Sequence, residues 1–210
     1  MVSAGPPERS GTPCRPGARS PIASVSVCWR DDTVKKKLFS EIPRIEGDRL
    51  VLKGLTPADR SALQELVDNP AVYRYLPTFL FERKYPDLAY VIDHLYDECW
   101  QESIILGVYL GNEFCGLAEM YGHQDPIHKI SLGCRLLERC WGKGIASEAL
   151  GMMVGYLFDE TDIEIITAST MVENQASARA LRKNGFQLVA HAADEDWGYD
   201  RPTLTDKWIR

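Results

Sequence analysis

The sequence predicts an α/β fold, a mixed sheet with helices on its faces, in one domain over residues 44–210. Three observations lead there. At 210 residues the chain is long enough for one sizeable core and short for two. Its hydrophobic fraction of 45% and charged fraction of 26% are those of an ordinary globular protein. Segments with strand-type and helix-type patterning follow one another in the order β-α-α-β-β-β-α-β-α-β-β.

Residues 1–36 stand apart as an N-terminal extension. From Met1 to Ser26 the composition is Pro, Gly, Ser, Ala and Arg, with Glu8 the single acid and no apolar periodicity. Such a segment buries too little apolar surface to offset its ordering entropy, which predicts disorder. It lacks the apolar stretch of a secretory signal; its arginine-rich, acid-poor composition also fits a transit peptide, and Val34 before Lys35-Lys36-Lys37 is an alternative start. Order is expected to begin near Ile45. Arg49 to Lys53 reads as a strand. Thr56 caps a helix that has Pro57 in its first position, presents Ala62, Leu63, Leu66 and Val67, and stops at Asn69-Pro70. A second helix runs from about Pro86 to Glu102, with Leu88, Val91, Ile92, Leu95 and Cys99 at helical spacing. Ile104 to Leu110 and Phe114 to Tyr121 form a hairpin across Gly111-Asn112. A strand over Lys129 to Leu137 leads through a glycine turn into a long helix, about Lys143 to Phe158. Then come a strand (Glu164 to Val172), a helix (Gln175 to Asn184, ended by Gly185), and strands over Phe186 to Ala190 and Thr203 to Ile209. No internal repeat is present.

The formal charge of −6 argues against nucleic-acid binding, which normally brings a basic excess. A mildly acidic surface favours approach of a cationic amine, though it serves solubility equally well. The longest apolar runs, such as Leu150 to Phe158, are too short for a bilayer, so no membrane partner is expected. The six cysteines, Cys14, Cys28, Cys99, Cys115, Cys134 and Cys140, form no C-x-x-C pair, and no histidine pair completes a metal site. Cys115 and Cys134 lie in apolar strands, where cysteine acts as a small hydrophobe. This pattern suits a reducing cytoplasm.

The most informative stretch is Arg139-Cys140-Trp141-Gly142-Lys143-Gly144-Ile145-Ala146, which leaves a strand and enters a helix. Glycines on alternate positions let backbone approach a ligand. The first helical amides are unpaired and the helix dipole adds partial positive charge, so the turn suits a pyrophosphate. Lys143 adds a charge beside those amides. An ordinary strand-to-helix bend explains the glycines too. A P-loop does not fit, for want of G-x-x-x-x-G-K-[ST]. A dinucleotide loop fits only in Gly142-x-Gly144: Ser147 replaces the third small residue, Glu173 comes too late, and the βαβαβ repetition is missing.

Arg139-x-x-Gly142-x-Gly144 resembles the acetyl-CoA-binding motif of the GNAT acetyltransferase superfamily. The run Trp141 to Leu150 is similar to the branch that contains the ribosomal-protein N-terminal acetyltransferases. Arg49 to Asp59 resembles that family's opening strand and turn, and Asn174-x-x-Ser177 with Lys183-x-Gly185-Phe186 resembles its later helix. The resemblance covers residues 44–210 and implies a mostly antiparallel twisted sheet. Its central strands would part between Leu137 and Val172, with the arm of acetyl-CoA in the opening. It implies cofactor contacts from Leu137, Arg139, Trp141, Gly142, Lys143, Gly144, Ile145, Ala146 and Asn174, with a free amide near Leu137 polarising the thioester carbonyl. It also implies direct transfer without an acetyl-enzyme, so no cysteine needs a nucleophilic role.

Amine acetylation needs a neutral amine and a proton for the departing thiolate. An α-amino group, with a pKa about 7.7–8.0, asks less of a base than a lysine near 10.4. Glu119 is the candidate base, being the one charge between Phe114 and Gly122; alternation puts it on the face of Cys115, Leu117 and Tyr121. Apolar neighbours would raise its pKa. A solvated strand-end carboxylate is the competing reading, and His123 and His128 are substitutes. For the acid, the tyrosine found in many GNAT enzymes seven residues after the motif asparagine is here Leu181, a departure. The ribosomal branch suggests Ser177 instead, which would otherwise be a first-turn residue under an Asn174 cap. The acceptor pocket is expected around Tyr73 to Phe81 and Asp194 to Tyr199, with Asp194, Glu195 and Asp196 facing a cation. A protein N-terminus is the expected acceptor; small amines, or a non-catalytic acetyl-CoA-binding module, are the rivals. The expected assembly is a monomer or homodimer.

Overall fold

Leu50-Val51-Leu52-Lys53 alternates buried and half-buried residues, as a strand with one covered face must. In the computed structural model of the chain, which describes residues 35–98 and 103–210, this segment is β2 of an eight-stranded sheet. The described residues belong to one compact unit, Val34–Arg210. The other strands are β1 (Ile45–Glu46), β3 (Ser103–Leu110), β4 (Glu113–Gln124), β5 (Lys129–Leu136), β6 (Ile165–Met171), β7 (Gln187–Glu195) and β8 (Thr203–Ile209). Their spatial order is β1-β2-β3-β4-β5-β6-β8-β7. Every neighbouring pair is antiparallel except β5 and β6, which run parallel. That parallel pairing lasts for three residue pairs, Lys129–Ile165 to Ser131–Thr167, and the strands then part as expected.

Five α-helices lie among the described residues: α1 (Arg60–Asp68), α2 (Pro70–Tyr73), α3 (Leu88–Glu98), α4 (Ile145–Glu160) and α5 (Gln175–Lys183). Cross-strand register places Leu117, Glu119 and Tyr121 on one face with Ser103, Ile105, Gly133 and Arg135. On that face Leu117 and Ile105 meet Leu63 of α1 and Val91, Ile92 and Leu95 of α3. The apolar α4 packs along β1, β2, β4 and β5, with Ala149, Met153 and Leu157 fully buried.

Several boundaries differ from expectation, each for a local reason. Order begins before Ile45: the Lys36 amide donates to the Glu160 carbonyl at 2.6 Å, and Leu38 is buried in the core. The disorder expected for Met1 to Ser26 lies outside the described residues, as does Cys99. Pro57–Asp59 is a 3₁₀ turn, and α1 starts only at Arg60; the Asp59 carboxylate accepts from both the Thr56 amide (2.8 Å) and hydroxyl (2.9 Å). Asn69 does end α1, but it also caps α2, accepting from the Ala71 amide at 2.9 Å. The helix expected from Lys143 starts at Ile145, because Gly142 and Gly144 hold φ of +72° and +78°. Finally β7 continues past Ala190 to Glu195; two irregularities in its pairing with β8 break the alternation that would reveal it. Cys115 is likewise displaced from the alternation of β4 by a register shift opposite Val108 and Tyr109.

Candidate active site

Where β5 and β6 part, a cavity of about 980 Å3 opens. One end is the glycine turn and the start of α4. Trp141, Gly142, Gly144, Ile145 and Ala146 all line it. A β-carbon added at Gly142 would meet nothing within 4 Å, and one at Gly144 only Arg49 Nη2 at 3.7 Å, so the space a ligand needs is present. The positive φ at both residues is what turns the chain so that the α4 amides face that space. Arg49 fastens the turn from outside: its Nε and Nη2 lie 2.8 and 2.5 Å from Glu148, and Nη2 donates to the Lys143 carbonyl. Trp141 Nε1 donates to the Leu136 carbonyl at 2.8 Å, joining the turn to the end of β5.

Across the opening stands α5. Asn174 caps it, accepting from the Ser177 amide at 3.1 Å, and both residues line the cavity. Arg179 and Lys183, on the same helix, line it as well. Toward the other end comes Glu119, and here the expectation of a carboxylate held only by apolar neighbours fails. One oxygen accepts from the Ser103 hydroxyl at 2.6 Å and the other from Arg135 Nη1 at 2.8 Å. Arg135 in turn donates from Nη2 to Glu82 at 2.8 Å, and its Nε lies 2.6 Å from the other Glu82 oxygen without hydrogen-bond alignment. Tyr73 completes the chain, its hydroxyl donating to Glu82 at 3.0 Å. Arg135 and Glu82 side chains are only 3% and 2% exposed. Burial works against the Arg135 charge, yet Glu82 and Glu119 outweigh it and raise its pKa. Burial, then Glu119 and Glu195, push the Tyr121 phenol up, and burial raises the Cys134 thiol to about 12.

Other expected placements change as well. The Leu137 amide is not free: it donates to the Cys115 carbonyl at 2.9 Å. Alternation therefore turns the amides of Cys134 and Leu136, not that of Leu137, toward the opening, where pairing with β6 has already ended. Arg139 does not line the cavity; its guanidinium pairs with Glu65 and Glu113 and donates to the Phe114 carbonyl at 3.2 Å. Lys143 is exposed and also lies off the cavity wall. Neither His123, edge-on to Phe39, nor His128, 3.3 Å from Asp162, lines it. Of the acids near the last hairpin, Glu195 and Asp196 reach the wall and Asp194 does not.

Tyr75 to Pro77, Phe79 to Phe81 and Trp197 form the remaining wall. The two segments are tied: the Thr78 amide donates to the Trp197 carbonyl at 2.9 Å, and the Tyr199 hydroxyl to the Leu76 carbonyl at 2.7 Å. Gly198 is required there, since a β-carbon would stand 2.1 Å from Thr78 Oγ1. No motif marks Arg135 or Glu82. The available signal was Arg135 itself, a lone charge within the apolar run Ile130 to Leu137.

A deep cleft between parting strands, with unpaired helix amides at one end and a carboxylate at the other, is the arrangement of an acetyl-CoA-dependent acyltransferase. Residues 49–187 match the family model described as Acetyltransferase (GNAT) domain, and the chain belongs to that family. It is 28% identical over 149 residues to the uncharacterized N-acetyltransferase YoaA of Bacillus subtilis (strain 168), covering 69% of this chain and 83% of that protein. Among solved structures it is similar to RimL, a ribosomal L7/L12 alpha-N-protein acetyltransferase in complex with coenzyme A (TM-score 0.68, 19% identity, 80% of this chain and 97% of that one). It is similar to a comparable degree to spermidine N-acetyltransferase from Vibrio cholerae in complex with CoA and spermine (TM-score 0.65, 18% identity, 78% and 96%). Among the described residues no group of three or more metal-ligating side chains is assembled, and no helix is long and apolar enough to cross a membrane.

Proposed function

We propose that the protein moves the acetyl group of acetyl-CoA directly to the α-amine of a protein N-terminus, in the cytoplasm. The observation that carries this reading is the single cavity running from the glycine turn to Glu119 between β5 and β6. Gly142, Gly144, Ile145 and Ala146 hold the pyrophosphate through backbone amides and Trp141 lines the cavity beside them, with Arg179 and Lys183 supplying charge and Asn174 meeting the pantetheine arm. The Leu136 amide takes the oxyanion role expected of Leu137. In the reaction a carbon–nitrogen bond forms and a carbon–sulfur bond breaks. The first ammonium proton passes to Glu119, directly or through water, and from there to solvent; as the tetrahedral intermediate collapses, the thiolate takes the hydroxyl proton of Ser177, which is restored through water by the second proton of the nitrogen. An α-amine suits Glu119 because its carboxylate, engaged by Arg135 and Ser103, is placed for a proton that leaves readily.

A small-amine acceptor is the second reading, favoured by the comparable likeness to the Vibrio cholerae spermidine enzyme. Thiol release from acetyl-CoA, measured over N-terminal peptides and free amines, separates the two. Peptide-only turnover supports the first reading, and turnover confined to free amines overturns it.

A further inference from the structure

Glu82 is an acid in an uncommon place. It sits in the 3₁₀ turn Phe81–Arg83, next to Phe81 of the acceptor wall, yet its side chain is only 2% exposed. An acid is almost never so buried unless it is paired, and the contacts of this one run toward Glu119. Its Oε2 accepts from Arg135 Nη2 at 2.8 Å, and its Oε1 lies 2.6 Å from Arg135 Nε. The Tyr73 hydroxyl donates to the same Oε1 at 3.0 Å. Burial, then Glu82, push the Tyr73 phenol up, so that hydroxyl keeps its proton and stays a donor. Arg135 is left with Nη1 for Glu119, at 2.8 Å.

An arginine facing Glu119 alone would favour the ionised carboxylate and weaken it as a proton acceptor. A second carboxylate across the guanidinium offsets that pull. From this arrangement we infer that Glu82 is a positioning residue for the transfer: acting through Arg135, it holds the Glu119 carboxylate at the cavity wall and keeps it able to take a proton. The inference rests on the acetyltransfer reading with Glu119 as base. Among the described residues, Glu82 and Glu119 are the carboxylates paired with Arg135. The other groups around Glu119 have different ties. Ser103 donates to its second oxygen from β3, and the Tyr121 phenol, pushed up by burial and then by Glu119 and Glu195, stands two residues along β4. Glu195 is paired with Lys207. Arg83 is exposed, its guanidinium 4.7 Å over the Tyr73 ring, where solvent screens it. Exposed Arg74, Lys84 and Asp196 line the same cavity.

The test is thiol release from acetyl-CoA by the full chain, followed across pH with the fastest acceptor among N-terminal peptides and free amines. Glu82→Gln is expected to lower kcat by about tenfold or more at unchanged KM for acetyl-CoA. It should also carry the acid limb of kcat/KM down by about one pH unit, because the Arg135 charge then falls on Glu119 alone. Adding Arg135→Gln to Glu82→Gln should return that limb to its original position or above it, which a merely structural defect would not do. If Glu82→Gln does not accumulate folded, Tyr73→Phe carries the test. It removes the hydroxyl that holds Glu82 without changing a charge, and should lower kcat severalfold at unchanged KM for acetyl-CoA; an unchanged kcat overturns the inference. An acid limb that stays or rises in Glu82→Gln overturns it too, and leaves acetyltransfer standing. Full turnover by Glu119→Gln, or bound acetyl-CoA with no turnover of any amine by the unaltered protein, removes the reading beneath it as well.

Discussion

Arg135 is held by carboxylates on both sides, with Glu119 and Glu82 each 2.8 Å from one of its nitrogens, in a setting where removing one ion strands the others. Breaking a buried pair of this kind typically costs about 3–5 kcal/mol, because an unpaired charge is left out of water. Arg135→Met is therefore expected to lower the unfolding free energy measured in urea by that order, whereas Glu119→Gln, at a site 13% exposed on the cavity wall, should lower kcat far more than stability. Ser177 accepts no demanding structural duty beyond giving its amide to Asn174. Ser177→Ala should reduce kcat by about 100-fold with little change in the KM for acetyl-CoA, in keeping with loss of a general acid. Unchanged kcat in steady-state kinetics would remove the hydroxyl from the mechanism. At this scale the sequence was a partial guide. Glu119, Ser177 and Asn174 could be picked out and do meet in one cavity. The partners of Glu119 could not, because Glu82 and Arg135 are 53 residues apart and only folding joins them. Arg139 and Leu137 were misplaced for a similar reason: a motif fixes which residues are present, while the register of β5 against β4 engages the Leu137 amide and the 3₁₀ turn Glu138–Cys140 carries Arg139 to Glu65 and Glu113.

Among the elements, the glycine turn was the most legible, since it stands in the family's order and spacing with the stretches Arg49 to Asp59 and Asn174 to Phe186. Its geometry leads to a sharp expectation. Gly144 sits at φ +78° as the cap of α4, a conformation that costs an ordinary residue roughly 1–2 kcal/mol. Gly144→Val should raise the KM for acetyl-CoA with a smaller effect on the acceptor KM. The tie between Gly198 and Thr78 makes the opposite case: Gly198→Ala should raise the acceptor KM more than that for acetyl-CoA, because the clash moves the acceptor wall. Strand β7 was read too short, and α2 was missed. In the first case pairing irregularities hide the alternation; in the second the helix has only four residues, too few to show a period.

For the molecule as a whole, the order of strands and helices follows from local patterning, and the parting of β5 from β6 followed from the family resemblance. Nothing local encodes the depth of the cavity, which depends on segments near residues 78 and 198 meeting. Global stability should also report on pH. The Cys134 thiol is raised from 9.0 to about 12 by burial, so the folded protein keeps its proton where the unfolded chain loses it. The stabilisation from this group is complete below pH 9 and is lost as pH climbs from there toward 12. A urea midpoint that falls across that interval, and falls less in Cys134→Ser, is the expected record.

The brevity of the β5–β6 pairing carries one more consequence. Rungs of the ladder end at Ser131, so the inward-facing amides of Cys134 and Leu136 have no neighbouring strand to shield them. In deuterated solvent they should exchange quickly, unlike those of Arg135 and Leu137 beside them. Once coenzyme A fills the gap it stands where a strand would, and the even-numbered amides should slow while the odd-numbered ones keep their pace, a stroboscopic pattern along these consecutive residues that marks the ligand as the sheet's missing edge.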